Sequence, residues 1–211
     1  MTEKNGIFIT IEGPDGSGKS TQIRLMVDYL SQAGHDVLVT REPGGCPISE
    51  RIRQVILDVR HKEMDPVTEM LLYAASRAQH VAQVIEPALE AGEIVICDRF
   101  LDSSIAYQGY GRQLGEELVL ETNRAALRGI RPDITFFFSM DPGKALHRKE
   151  EDRPMDRLEQ EEADFHQRVY EGYRILAERD SGRIRTIDAA RPIEEVHGQI
   201  RSILDQLLKD R

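Results

Sequence analysis

Positive charge is what this chain has too little of. Its formal net charge is −9, although 31% of its 211 residues are charged. That balance excludes nucleic-acid binding through a broad basic surface, and no basic stripe takes its place. Cysteine is scarce as well. Cys46 and Cys97 make no disulfide framework, and Cys97 sits in an apolar strand pattern where a small buried hydrophobe is expected. Such usage fits a reducing compartment, so a cytoplasmic location is expected. No run approaches the ~20 apolar residues of a membrane span, and Met1-Thr2-Glu3-Lys4-Asn5 lacks a signal peptide's apolar stretch. No membrane partner is therefore expected. Repeats, low-complexity tracts and linkers are also missing. The 211 residues read as a single domain, long enough to bury a core.

What is present is most informative at residues 13–20, Gly-Pro-Asp-Gly-Ser-Gly-Lys-Ser, directly after the apolar run Ile7-Phe8-Ile9-Thr10-Ile11. This is the phosphate-loop pattern G-x-x-x-x-G-K-[ST] between a strand and a helix. Gly13, Gly16 and Gly18 let successive backbone N–H groups face one concavity, which with the helix N-terminus makes an anion site. A nucleoside triphosphate is expected on Gly13, Pro14, Asp15, Gly16, Ser17, Gly18, Lys19, Ser20 and Thr21. Lys19 would reach the outer phosphates and the Ser20 hydroxyl would ligate Mg²⁺.

Around this loop, apolar runs alternate with helical patterns. Strands are expected at 7–12, 36–40, 93–98, 133–139 and 183–188. Helices are expected near 18–33, 48–59, 65–91, 102–109, 115–129, 142–149, 157–180 and 192–208. Several strands are almost continuously apolar, as parallel strands buried on both faces are. The pattern predicts an open five-stranded parallel α/β sheet of the P-loop NTPase type, covered on both faces, with ligands beyond the strands' carboxyl ends.

The remaining polar clusters fall at those ends. Thr40-Arg41-Glu42-Pro43-Gly44-Gly45 is a charged, rigid turn, followed by a helix carrying Arg53. Both arginines could be ordinary surface charges, or forks for a phosphate. Tyr73 and Arg77 are four apart on a helix that opens with Asp65 as N-cap and Pro66. They suit a flat polar base, or are a core tyrosine beside a solvated arginine. Asp98 ends the third strand where metal-associated acids sit, with Arg99 beside it. Ser104, Tyr107 and Gln108 would share one helical face, either reading a base and sugar or forming a solvated stripe. Residues 147–159 interleave Arg148, Arg153 and Arg157 with acids, Pro154 interrupts any helix, and Asp156 to Glu159 resembles a capping box. The stretch reads as a solvated loop or as a lid, about 147–158, that delivers an arginine to a phosphoryl group.

Five strings carry a resemblance: 11–21, 40–45, 72–80, 98–110 and 156–159, in this order within residues 7–175. The chain closely resembles the thymidylate kinase family of nucleoside monophosphate kinases. The resemblance implies transfer of the γ-phosphoryl group of ATP to deoxythymidine monophosphate, with Mg²⁺, by a homodimer. It implies that Asp15 contacts the acceptor's 3′-hydroxyl and that Arg53 and Arg99 hold its phosphate. Tyr73 would stack on thymine, with Arg77, Ser104 and Gln108 around the base edge and Tyr107 crowding the sugar. Asp98 and Glu42 match acids associated with metal and phosphates. Asp15-Gly16-Ser17 holds no arginine, unlike one branch of the family, so the catalytic arginine is expected in the lid, at Arg153 first and Arg148 second. Lys19 and Arg99 complete the expected catalytic set.

Competing readings lack support. A regulatory GTPase would show an Asn-Lys-x-Asp motif and an Asp-x-x-Gly after an apolar strand in the switch position, and neither occurs. A nucleic-acid-dependent ATPase is disfavoured by the acidic balance. A kinase for another nucleotide or a deoxynucleoside stays open, because hydrogen-bond direction at a base edge is not written in residue types.

Overall fold

The computed structural model describes residues 6–145 and 155–209. Its frame is a parallel five-stranded sheet of β1 (Ile7–Glu12), β2 (Val37–Arg41), β3 (Ile94–Asp98), β4 (Ile134–Ser139) and β5 (Ile184–Asp188), in the order β2-β3-β1-β4-β5. Each strand lies within one residue of its expected bounds. β1 is central and buried along its length, whereas the edge strand β2 is only half covered. Alternation splits β1 between two layers. Ile7, Ile9 and Ile11 pack with Met26 and Leu30 of α1 (Lys19–Gln32) and with Ile200 and Leu204 near the chain's end. Phe8 joins Val81, Ile85, Leu89 and Phe100 on the opposite face. Each such apolar side chain contributes about 1.5–3 kcal/mol on burial.

The second face also carries α2 (Pro47–Leu57), α3 (Pro66–His80) and, further along, α6 (Glu116–Leu127) and α7 (Ala163–Arg179). Met70, Val119, Phe137, Phe165, Val169 and Tyr173 bring α3, α6, β4 and α7 into one cluster. Asp65 caps α3, accepting from the Val67 and Thr68 N–H groups. The last helix, α8 (Ile193–Lys209), closes the first face.

Three expected helices differ from the observed ones. The helix expected over 65–91 runs as α3, a π-helical turn at Val81–Ile85 and a short α4 (Glu86–Glu90). Pro87 lies just after the wide turn, where its missing N–H and bulky ring are tolerated. The helix expected over 102–109 is α5 (Leu101–Ser104) followed by a second π-helical stretch, Ile105–Gly111. The helix expected from 157 begins at Ala163. Asp156 does form the reciprocal cap with Glu159, its Oδ1 accepting the Leu158 and Glu159 N–H groups while its own N–H donates to Glu159 Oε2. That cap opens a single turn only, because Arg157 leaves it to bind the α2 end and α3. The expected helix at 142–149 is helical over 142–145. Most of the expected lid, including Arg148 and Arg153, lies outside the described residues.

Candidate active site

The carboxyl ends of β1 and β3 open on a cavity of about 600 Å³, within the usual range for a small-molecule site. At one end lies the phosphate loop. Gly18 is the N-cap of α1 at φ 88°, a left-handed conformation, with no side-chain cap. Gly16 sits at φ 81°, and a Cβ there would fall 2.1 Å from the Ala145 carbonyl oxygen. The loop thus needs both glycines, one for its conformation and one also for space. No acid occupies the first turn of α1, leaving its N–H groups and dipole for an anion. Lys19 lies back across the loop and donates to Gly13 O, Pro14 O and Asp15 Oδ1 at 3.2, 3.1 and 3.2 Å. Ser17 closes the turn by donating to Pro14 O at 2.7 Å. Ser20 and Thr21 line the cavity.

In the middle, the end of β3 supplies Asp98 and Arg99. Among the described residues, Asp98 Oδ1 is buried without a hydrogen-bond partner, 4.0 Å from Lys19 Nζ. Arg99 has φ 70°, an uncommon conformation for a residue with a side chain. Its guanidinium donates through Nη2 to Asp15 Oδ1 at 2.8 Å and through Nη1 to the Ser103 and Tyr173 hydroxyls at 3.3 and 3.2 Å. It also lies over the Tyr107 ring. Lys19 and Arg99 therefore converge on one carboxylate oxygen from two different elements.

The far end is walled by Tyr73, Arg77, Tyr107, Gln108 and Arg53. Burial pushes the Tyr107 phenol up to about 12, so it stays a neutral donor. Burial likewise raises the Tyr73 phenol. Arg53 donates to Pro43 O at 2.8 Å, and burial followed by the Arg41 charge lowers its pKa. Arg77 is 1% exposed, so the solvated-arginine alternative does not hold. It donates to Glu42 Oε2, Asn123 Oδ1, Phe100 O and Ser104 Oγ. Among the described residues, this leaves one Nη1 hydrogen of its five donors for a ligand carbonyl. Gln108 donates its amide to Glu69 Oε1 at 2.9 Å. Glu69 is fully buried, and its carboxyl is held below the ordinary range because Arg112, Gln108 and Arg157 outweigh the effect of burial.

Two expected roles change. Glu42 was expected among the metal-associated acids, yet its two oxygens are taken by Arg77 at 2.8 Å and His80 at 3.0 Å. It holds Arg77 in place while also lining the cavity. Ser104 was expected on one face with Tyr107 and Gln108, but the π-helical stretch separates them. Tyr107 and Gln108 line the cavity, while the buried Ser104 hydroxyl turns to Arg77. The residues that residue-type reasoning passed over are the acids behind the wall, Glu12 and Glu69, and two hydroxyls that line it, Ser103 and Tyr173. His166 and Tyr170 also line the cavity from α7. Asp188 and Arg191 border a separate shallow hollow with Ser139, Thr186 and Gln199.

The family model described as thymidylate kinase matches residues 11–200. A thymidylate kinase from an Exiguobacterium species is 50% identical over 196 residues, covering 93% of this chain and 92% of that one. One from Finegoldia magna is 52% identical over 198 residues, covering 94% and 97%. Among solved structures, the crystal structure of thymidylate kinase from Ehrlichia chaffeensis matches with a TM-score of 0.77 at 34% identity, covering 94% of this chain and 98% of that one.

Proposed function

We propose residue roles, a metal and an assembly for this chain, which belongs to the thymidylate kinase family and transfers the γ-phosphoryl group of ATP to deoxythymidine monophosphate. The observation that carries the roles is the convergence of Lys19 and Arg99 on Asp15 Oδ1, at 3.2 and 2.8 Å. Two cations from different elements thus share one anion position beside the phosphate loop. The acceptor is itself a phosphate, so positioning and charge neutralisation dominate over general-base catalysis. Lys19 and the loop's N–H groups bind the ATP phosphates. Arg99, with Arg53, holds the acceptor phosphate, and Asp15 contacts the acceptor sugar. Tyr73 stacks on the base, the spare Arg77 N–H meets a base carbonyl, and Tyr107 closes on the sugar. Arg153 or Arg148 of the lid completes the neutralisation, and Arg153→Ala is expected to lower kcat more than nucleotide affinity.

Mg²⁺ fits the residues present. Among the described residues no cluster of three or more acids, histidines or cysteines could hold a metal, but a nucleotide-bound Mg²⁺ needs only one or two protein oxygens beside the phosphates. The buried Asp98 Oδ1, which has no hydrogen-bond partner among the described residues, and the Ser20 hydroxyl at the loop are those oxygens. Bound there, the ion neutralises charge on the phosphate oxygens.

A homodimer is supported by exposed apolar side chains on the adjoining helices α2 and α3, Ile48, Val55, Val67 and Leu71. No described helix is long and apolar enough to cross a membrane, and a cytoplasmic role follows from the substrates. A coupled assay with ATP against a panel of nucleoside monophosphates tests the whole reading. Deoxythymidine monophosphate should be turned over best, and its rejection alongside hydrolysis of GTP or DNA-stimulated hydrolysis of ATP would overturn the reading.

A further inference from the structure

The last residue of β1, Glu12, is fully buried beside the phosphate loop, and the reaction assigns it no task. It reaches no wall of the cavity, yet both its oxygens bind groups that touch Arg99. Oε1 accepts the Phe100 N–H at 2.8 Å. Oε2 accepts the Ser103 hydroxyl at 2.5 Å and the Tyr173 hydroxyl at 3.0 Å. Those two hydroxyls lie 2.7 Å apart, and both accept from Arg99 Nη1.

We infer that Glu12 is a positioning residue for Arg99, fixing both its backbone and the direction of the two hydroxyls that receive it. The argument is one of donors and acceptors. Arg99 has only hydrogens to offer, so Ser103 and Tyr173 must turn lone pairs toward it. A hydroxyl does so when its own hydrogen is drawn elsewhere. Ionised, above about pH 7, Glu12 is an acceptor at both oxygens and draws both hydrogens away. The Phe100 N–H bond acts at the same time on the chain. It clamps the peptide that follows Arg99, where φ is 70°, and so holds a conformation that a free chain would leave. Glu12 sits on the buried central strand, Ser103 on α5 and Tyr173 on α7. The aim of Arg99 is therefore set by three elements at once, with Ser103 and Tyr173 in the cavity wall and Glu12 behind them.

This rests on the assignment of Arg99 to the acceptor phosphate, and the test separates the two. Glu12→Gln keeps the shape and an oxygen for the Phe100 N–H. It places an NH₂ group opposite the two hydroxyls, turning their hydrogens back toward Arg99. The expected result is a KM for deoxythymidine monophosphate raised about tenfold, the loss of one charge-assisted hydrogen bond. The KM for ATP should stay within about twofold. Tyr173→Phe keeps the ring and should raise the same KM. Its effect should be less than additive with Glu12→Gln, because both act on one guanidinium. A purely structural role would instead lower Tm and move both KM values together, and that result overturns the inference. Arg99→Ala is measured alongside. A wild-type acceptor KM in Glu12→Gln beside an impaired Arg99→Ala overturns this inference alone. An unimpaired Arg99→Ala overturns the Arg99 assignment and the inference with it.

Discussion

At the donor end of the cavity the hydrogen bonds made by Lys19 and Ser17 are local. Lys19 reaches back four to six residues and Ser17 three. At the acceptor end they are not: Arg77 binds Glu42 across 35 residues, Arg157 binds Glu69 across 88, Ser103 binds Glu12 across 91 and Tyr173 binds Glu12 across 161. The donor end is thus a loop that makes its own anion site from backbone, and its side chains answer mainly to the ligand. The acceptor end exists only once the fold is complete, because its cavity-facing groups are held by buried partners. The difference predicts that donor-end substitutions act on turnover with little effect on stability. Acceptor-end substitutions should act on stability and on acceptor binding together.

The largest expected effect is at the donor end. Lys19→Ala removes the cation assigned above to the outer phosphates and should lower kcat about 10³-fold, as for other preorganised charge-stabilising donors. Its stability should change by only about 1 kcal/mol, because Asp15, the acid it leaves, is 36% exposed and stays hydrated. A kcat above a tenth of wild type would break the comparison at its strongest point. Next comes Glu42→Ala at the acceptor end. Breaking a buried pair strands a charge, which costs roughly 3–5 kcal/mol. We expect the low end, about 3 kcal/mol by urea unfolding, because Asn123, Phe100 and Ser104 still receive Arg77. The KM for deoxythymidine monophosphate should rise in the same variant. A stable Glu42→Ala protein would mean that the buried network is not what holds Arg77.

The same contrast explains how much the sequence could say. The phosphate loop was legible because its glycines, Lys19 and Ser20 are contiguous and their chemistry is local. The strand positions were legible because β1, β3 and β4 are apolar on both faces. Tyr73, Arg77, Tyr107 and Gln108 were legible as candidates for the base pocket through helical spacing and family strings. Their supports were not. Nothing near Glu69 in sequence tells that it will meet Gln108, Arg112 and Arg157. Nothing near Glu12 points to Tyr173. The π-helical stretch at Ile105–Gly111 was missed for a related reason. An i,i+4 face can be counted in a sequence, but an extra residue per turn depends on what the helix packs against, here α7. Arg157 hid the start of α7 in the same way. The Asp156–Glu159 cap was readable, but the long-range bonds of Arg157 to Ile56 O and Glu69 that redirect the chain were not.

A pH experiment tests the acceptor end from another side. Burial, reinforced by the charge of Asp102, raises the Glu12 pKa from 4.5 to about 7, against the pull of Ser103, Arg99 and the Phe100 N–H. The fold therefore holds this proton more tightly than the unfolded chain. Stability from it is full below pH 4.5 and is lost as pH rises to about 7. Glu12→Gln has no such proton. Relative to wild type it should gain stability between about pH 5 and pH 8, by at most about 3 kcal/mol and, after relaxation, by about 2. The variant would then be more stable at neutral pH yet weaker in acceptor binding, as expected of a charge kept for function at the expense of stability. A stability difference that stays flat over that range would show that Glu12 does not titrate there.

The smallest effect makes the most direct comparison, because it removes one hydroxyl from each end. Ser17 and Ser103 are both buried, and each donates one hydrogen bond. Ser17 gives its hydrogen to Pro14 O, inside the same turn, and its loss leaves that carbonyl still receiving Lys19 and the Ser17 N–H. Ser17→Ala should therefore cost about 1 kcal/mol or less, with both KM values within about twofold of wild type. Ser103→Ala removes the same atom, but that atom receives Arg99 and binds Glu12, 91 residues away. Its acceptor KM should rise severalfold while its ATP KM holds. If the two serines behaved alike, the distinction between a self-contained donor loop and an acceptor pocket aimed from behind would fail at the level of a single hydroxyl.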